Sequence, residues 1–325
     1  VNKSVYSDMQ RIWDMYHTKA HINLIVCGSI FSMMTKIFKD KKEPLYNRQT
    51  RFMSIKPFTP AVLKEIMAEY NPNYTSEDLL ALYSFTGGVA KYVQLLVDAG
   101  ATTKTKMLNH IIKADSVFLG EGKAILIEEF GKDYGVYFSI LSAIARGKTL
   151  RSEIEQIVCR EIGGYLTKLE KEYEVITKNQ PIFEKSSTKN VRYTIEDNFF
   201  TFWFRFIYKY NYMLEIENYD AVKTIINRDY ETFSGKMLER YFKRVLMESK
   251  AYTRIGSWWD RKGENEIDIV AENELNDEAV FIEVKRKEEN FDAIALNEKV
   301  DVFTRATGKF KDYTVSQNGL SMADM

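Results

Sequence analysis

The sequence has little that would place the protein in an oxidising compartment or a membrane. It contains two cysteines, Cys27 and Cys159, which are too few for a disulfide framework. The residues at its start have no signal-peptide pattern. It also has no apolar run of about 18 residues, the length that a membrane-spanning helix needs. We therefore expect a cytoplasmic protein that does not associate with membranes.

The sequence also lacks an excess of charge of either sign. Its 46 lysines and arginines balance 46 aspartates and glutamates, so the formal net charge is zero. Global charge therefore gives no argument for nucleic acid, and any such interface has to be a local basic face. The length of 325 residues predicts two or three domains.

A phosphate-binding loop is missing as well. Gly147–Thr149 reads Gly-Lys-Thr, but the first glycine that such a loop needs, five residues earlier, is replaced by Ser142. The similar stretches "GEGKA" and "FSGKM" have Val117 and Tyr230 at that position. Without this glycine loop the backbone cannot wrap phosphate oxygens in the usual way. We therefore expect no tight binding of ATP by this chain.

Residues 1–57 contain two short apolar runs. "INLIVCGS" is continuously apolar before Gly-Ser, and "MSIKPF" is a second candidate. Runs of this kind are typical of buried strands in a parallel sheet. We predict that 1–57 is the remnant of such a sheet. An unpaired edge of this sheet would promote self-association.

Residues 58–133 have the pattern of a small helical lid. Thr59 is a good N-cap, and Pro60 follows at the first helical position. Apolar residues then recur at helical spacing, with a break at Gly87 and Gly88.

Residues 134–228 resemble a winged helix followed by an aromatic helical linker. Three helical patterns precede "IFEKSSTKNVRYTI", which predicts a two-stranded wing with a polar tip. The wing carries Lys185, Lys189 and Arg192, whereas the third helix is not basic. These features leave two alternatives, a DNA-binding wing or an adaptor between domains. The aromatic stripe over 199–208 is predicted to be core and not a base-stacking surface.

Residues 229–325 contain the pattern with most chemistry. In "NEIDIVAENELNDEAVFIEVKRK", Glu283 follows Asp268 by 15 positions, and Lys285 lies two further on. Two carboxylates on neighbouring strands would suit Mg²⁺ or Mn²⁺, which lowers the pKa of bound water. Lys285 could orient that water or stabilise negative charge. The alternative is an amphipathic hairpin with a solvated polar face.

"EIDIV…FIEVK" resembles the PD-(D/E)xK restriction-endonuclease-like superfamily. Asp268, Glu283 and Lys285 match its motif in order and spacing, and Glu239 matches an acid on the preceding helix. The resemblance implies that these four residues are catalytic and that Asp268 and Glu283 hold the metal. Arg261, with Lys185, Lys189 and Arg192 of the wing, is a candidate contact to nucleic acid.

The wider chain resembles the prokaryotic AAA+-type ATPase family often labelled archaeal ATPase. The motifs are "LIVCGSIFSMM", "PLYNRQTRFMSIKPF", "FTGGVAKYVQLL", "RYTIEDNFFTFWFRFIY" and "IGSWWDRKGENEIDIVA". The family implies an ATP-binding P-loop module whose phosphate loop and Walker B strand would precede Val1. Ser29, Arg48 and Lys91 match positions that contact nucleotide in the family.

The combined expectation is a multidomain α/β protein. It would contain a P-loop sheet remnant, a helical lid, a winged helix and a restriction-endonuclease-like domain. Two functions are predicted: an ATP-gated, Mg²⁺-dependent nuclease, or a nucleotide-controlled switch whose nuclease-like domain binds DNA or protein without cutting.

Overall fold

The computed structural model of the chain describes residues 3–28 and 31–325. These residues form many helices and two small sheets, a mixed α/β architecture. In the described parts of the chain, no helix is both long enough and apolar enough to cross a lipid bilayer.

The described part of residues 1–57 contains helices but no strand. Between helix α1 (Lys3–Tyr16) and helix α2 (Phe31–Lys39), residues 21–28 are exposed and belong to no strand. Ile25 is 76% exposed and Ile55 in the second run is 88% exposed. The parallel-sheet remnant predicted for 1–57 is therefore wrong for the described residues. A parallel strand needs a paired neighbour to satisfy its backbone, and the described residues of the two runs have none.

The region predicted to be a helical lid is helical. It contains α3 (Pro60–Tyr70), α4 (Ser76–Thr86), α5 (Ala90–Asp98), α6 (Lys104–Ile111) and α7 (Val117–Phe130). The Thr59 hydroxyl accepts a hydrogen bond from the Val62 N–H at 3.3 Å, so the predicted cap is present. Gly87 ends α4 with φ of 62°, a conformation that favours glycine.

Gly122 of α7 lies against the indole of Trp203, and it allows a direct test of packing. A Cβ at Gly122 would lie 2.5–2.8 Å from three ring atoms of Trp203. That ring is held in place, because its Nε1 donates to the Leu119 carbonyl at 3.1 Å. We expect Gly122→Ala to lower the free energy of unfolding by about 1–3 kcal/mol in a urea titration.

Gly120 provides the matched control on the same helix. It is exposed, and a Cβ there would meet nothing within 4 Å. Gly120→Ala should raise the free energy of unfolding by about 0.5–1 kcal/mol, since alanine loses less backbone entropy in a helix. Equal shifts for the two variants would show that the indole yields to the new methyl group.

Residues 134–195 form three helices and a hairpin, in the order of a winged helix. The helices are α8 (Tyr134–Ala145), α9 (Arg151–Val158) and α10 (Gly163–Lys171), and β1 (Ile176–Asn179) pairs antiparallel with β2 (Arg192–Ile195). The first wing strand lies earlier than the strand predicted from Ile182. Ile182 instead donates its N–H to the Ser257 carbonyl at 2.9 Å. The loop between β1 and β2 is thereby attached to the second sheet.

The aromatic stripe is mainly core, as predicted. It forms α11 (Asn198–Phe202) and a π-helical turn (Trp203–Tyr208), which α12 (Asn211–Glu215) follows. The fully buried members are Phe199, Phe202, Trp203, Phe204 and Phe206. Phe200 and Tyr208 are partly buried and pack against the same cluster.

A 31-residue helix, α13 (Tyr219–Ser249), leads into the second sheet. The sheet contains β3 (Arg254–Trp259), β4 (Glu266–Asn273), β5 (Glu278–Val284) and β6 (Thr314–Leu320), in that spatial order. Strands β3, β4 and β5 are antiparallel, and β6 is parallel to β5 after the crossover helix α14 (Ala293–Thr307). The domain boundary predicted at 228/229 falls inside α13.

The second sheet lies between two hydrophobic cores. Ile269, Ile282 and Val284 belong to the large core, which also contains the buried face of α13. Trp258 and Phe281 belong to a smaller core with the buried face of α14. The sheet is therefore covered by a helix on each face, and its strand ends are fixed in position.

Candidate active site

The candidate site lies where β4 and β5 separate. Their backbone pairing ends at Ile269 and Ile282, and one step further would bring Asp268 opposite Glu283. At that step a side chain takes over from the backbone hydrogen bonds between the strands: Asp268 Oδ2 accepts the Val284 N–H at 2.8 Å. The carboxylate of Asp268 is thus held beside the backbone that carries Glu283.

An irregularity in β4 aims Asp268 into this gap. Gly256 pairs with Val270 and Trp258 pairs with Ile267, so β4 has one more residue than β3 between the two pairs. Such a bulge redirects side chains. Strict alternation would place Ile267 and Ile269 on one face of β4, but Ile267 packs in the smaller core and Ile269 in the large one.

Glu283 is bound by two ammonium groups. Its side chain is 9% exposed. Lys285 follows the last residue of β5, and its Nζ donates to Glu283 Oε1 at 2.7 Å. Lys299 Nζ on α14 donates to both carboxylate oxygens, at 3.0 and 3.1 Å. This carboxylate therefore lies in strongly positive surroundings.

Helix α13, on the face of the sheet opposite to α14, contributes a carboxylate and an ammonium group. Glu239 lies one turn after Lys236, and Lys236 Nζ is 2.9 Å from Glu239 Oε1. Burial raises the pKa of Glu239 to about 7, against the opposite effect of Lys236 and with a further rise from the charge of Asp268. Burial also raises the pKa of Asp268, opposed by the Val284 N–H and increased by the charge of Glu283. Asp268 thus lies between Glu283 with Lys285 on one side and Glu239 with Lys236 on the other.

The raised pKa of Glu239 predicts a dependence of stability on pH. Its pKa is about 7 in the folded protein and about 4.3 in an unfolded chain. Between these values the folded state holds more protons, so the free energy of unfolding should fall as pH rises from about 4.3 to about 7. The raised pKa of Asp268 acts in the same direction.

We expect Glu239→Gln to make this fall shallower in urea titrations at a series of pH values. Glu231→Gln, at an exposed position of the same helix, is the control. An unchanged slope in Glu239→Gln would mean that Glu239 titrates normally in the folded protein.

The residues fit a hard cation only in part. Asp268 and Glu283 supply two carboxylates, and Mg²⁺ is commonly bound by one or two carboxylates plus water and phosphate oxygens. Within residues 3–28 and 31–325, no group of three or more His, Cys, Asp or Glu side chains is arranged to hold a metal. A cation here would therefore depend on water or substrate for most of its ligands.

The residues predicted to contact nucleotide do not meet in one described site. Ser29 lies outside the described residues. Arg48 forms a two-point ion pair with Asp14 of α1, at 2.8 and 2.9 Å. Lys91 is paired with Glu121 of α7. For Arg48 and Lys91 the structure therefore gives a structural partner, and their nucleotide role stays a prediction.

The residues predicted to bind nucleic acid fall into two groups. Lys185, Lys189 and Arg261 are exposed. Arg192 is largely used within the protein, since Arg192 Nη1 is 2.9 Å from Glu266 Oε2 and its guanidinium lies 4.4 Å from the centre of the Trp259 ring. Arg192 therefore fastens the wing to the strand that carries Asp268.

Three charged residues of the site were missed in the sequence: Lys236, Glu266 and Lys299. Lys236 had a usable signal, because it lies three positions before Glu239 on a helix and so shares its face. Lys299 precedes Val300 of the buried face of α14. Its position is clear only once the crossover helix is placed over β5.

Comparisons with known proteins give a family match and one relative. Residues 203–315 match the DUF234 family, described as "Archaea bacterial proteins of unknown function". The chain is 32% identical over 302 residues to an uncharacterised protein of Methanocaldococcus jannaschii, over 88% of this chain. The chain spans 65% of that relative's length. No solved structure matches the chain.

Proposed function

We propose that the second sheet with α13 and α14 is a nuclease-like unit that hydrolyses phosphodiester bonds in nucleic acid with a divalent cation. The observation that carries the proposal is the convergence of Asp268, Glu283 and Lys285 where β4 and β5 separate. Solvated acids on an amphipathic hairpin would not need a buried Glu283 or a backbone hydrogen bond to Asp268.

The order of elements supports the same proposal. A helix, three antiparallel strands, a crossover helix and a parallel strand follow one another from α13 to β6. This order resembles the core of the PD-(D/E)xK superfamily, and the sequence motif lies on the two central strands. Fold likeness alone does not assign an activity, so the proposal depends on the four side chains.

Each residue has a role in this proposal. Asp268 and Glu283 would hold Mg²⁺ or Mn²⁺, which when bound polarises a phosphoryl oxygen and lowers the pKa of its water. Lys285, next to Glu283, would orient the attacking water and stabilise negative charge on the phosphate. Glu239, with a pKa of about 7, would accept a proton near neutral pH.

The wing supports nucleic acid as the partner. The loop that carries Lys185 and Lys189 is attached to β3 through Ile182, and Asn190 accepts a hydrogen bond from Trp259 Nε1 at 2.9 Å. Arg261 follows Trp259 by two residues, so the exposed cations lie on neighbouring loops. Phosphate contacts from such cations would make binding depend on salt.

A second candidate function is binding without cleavage, in a nucleotide-controlled switch or adaptor. The observation that favours it is the pairing of Glu283 with two ammonium groups, which leaves this carboxylate already neutralised. The part played by ATP is also a proposal, carried by the sequence motifs around Ser29, Arg48 and Lys91.

The test is a cleavage assay with purified protein on duplex DNA, single-stranded DNA and RNA. We expect products with Mg²⁺ or Mn²⁺ and none with a chelator. Binding of nucleic acid without products under all these conditions would reject the nuclease and favour the adaptor.

A further inference from the structure

Lys299 is a charged residue of the site that no sequence motif accounts for. We propose that its ammonium holds the place of the divalent cation on Glu283 and, when the cation enters, moves to the phosphate of the substrate. This inference rests on the proposed function, because it concerns the same cation site.

The geometry of Lys299 is that of a bound cation. Its Nζ lies 3.0 Å from one oxygen of Glu283 and 3.1 Å from the other, so it bridges the carboxylate evenly. Lys285 contacts only one of these oxygens, at 2.7 Å. The bridging position is therefore taken by the lysine that comes from α14, and not by the lysine of the sequence motif.

The charges around Glu283 imply that a divalent cation and the lysine ammonium groups would compete for this carboxylate. Two ammonium groups already face this single carboxylate, and its next neighbour of like charge is Asp268. A divalent cation would add two positive charges to these groups. Either an ammonium must leave Glu283, or an anion must arrive with the cation.

The fold lets the side chain of Lys299 move while its backbone stays fixed. Leu296, Val300 and Phe303 are buried and fix α14 against the sheet. The Lys299 side chain itself is 26% exposed, so it is in contact with solvent and is not enclosed by the core. A lysine ammonium is a compact charge on a flexible stem, which suits contact with one phosphate oxygen.

Lys285 and Lys299 therefore have different tasks in this proposal. Lys285 would stay bound to Glu283 beside the attacking water. Lys299 would leave Glu283 and bind the phosphate of the substrate. Cation and substrate would then favour each other's binding. The phosphate would accept the ammonium group that the cation displaces from Glu283, and the cation would free that ammonium group for the phosphate.

The test uses Lys299→Met, which keeps most of the stem and removes the charge. Mn²⁺ is titrated calorimetrically into wild type and variant without nucleic acid. We expect roughly tenfold tighter Mn²⁺ binding in Lys299→Met, within the usual range of coupling between sites. The rate of cleavage at saturating Mn²⁺ should fall. A purely structural role would weaken both properties.

Two further variants make the outcome decisive. Lys299→Gln repeats the loss of charge if the methionine variant does not fold. Lys287→Met removes an exposed charge just after β5 and should leave Mn²⁺ binding unchanged. Equal or weaker Mn²⁺ binding in the Lys299 variants, with measurable binding in wild type, overturns this inference. No Mn²⁺ binding by wild type or any variant overturns the proposed function itself.

Discussion

Asp268→Asn should reduce Mg²⁺-dependent cleavage by about 100-fold or more while the protein stays folded. The amide keeps an oxygen that can accept the Val284 N–H, now made at 2.8 Å, so the gap between β4 and β5 stays closed. It removes the negative charge that a cation needs, and a more weakly held cation would also orient its bound water less well. Cleavage rates at saturating Mg²⁺ measure the effect.

The control for Asp268→Asn is Glu278→Gln, an exposed acid at the other end of β5. It loses the same charge from the same sheet and should cleave like wild type. If wild type and Asp268→Asn cut equally fast, the activity belongs to another site or to a contaminating enzyme.

Phe303→Ala should lower the free energy of unfolding by about 3–5 kcal/mol, the usual cost of removing a buried aromatic ring. Phe303 is fully buried at the centre of the smaller core. Its ring centre lies 5.5 Å from that of Trp258, 5.1 Å from that of Phe281 and 5.7 Å from that of Phe310. Its loss removes the aromatic contacts to Trp258 of β3 and Phe281 of β5 that hold α14 on the sheet.

Ile294→Ala is the matched change on α14, because Ile294 is 75% exposed. Urea titration should place it within about 0.5 kcal/mol of wild type. A small effect of Phe303→Ala as well would mean that the smaller core relaxes around the cavity.

The sequence predicted the elements whose signals are local. The cap at Thr59 and the glycine break after α4 depend on neighbouring residues, and both are present. Alternation along "FIEVK" predicts that Glu283 and Lys285 share one face, and their 2.7 Å contact agrees with it. Helical density in the aromatic stripe indicated a core, and its largest members are buried.

The wrong or missing predictions depend on distant partners. The apolar run ending at Gly28 looks like a buried strand, but strand formation requires a neighbour that a short window does not contain. The loop from Ile182 departs from the wing because Ser257, far along the chain, offers a backbone acceptor. Lys299 reaches Glu283 only through the crossover of α14, and Asp268 owes its direction to a bulge.

Helix α13 and strand β6 set the limits of the shortest segment that could transfer this site to another protein. The family match covers 203–315, so it stops just after β6 begins at Thr314. The rest of β6 pairs with the part of β5 that carries Glu283, and the Leu320 carbonyl accepts the Lys285 N–H at 2.9 Å. The smallest transferable segment therefore runs from Tyr219 to the end of β6. It would also expose the face of α13, about 46 Å long, that the helical region now covers.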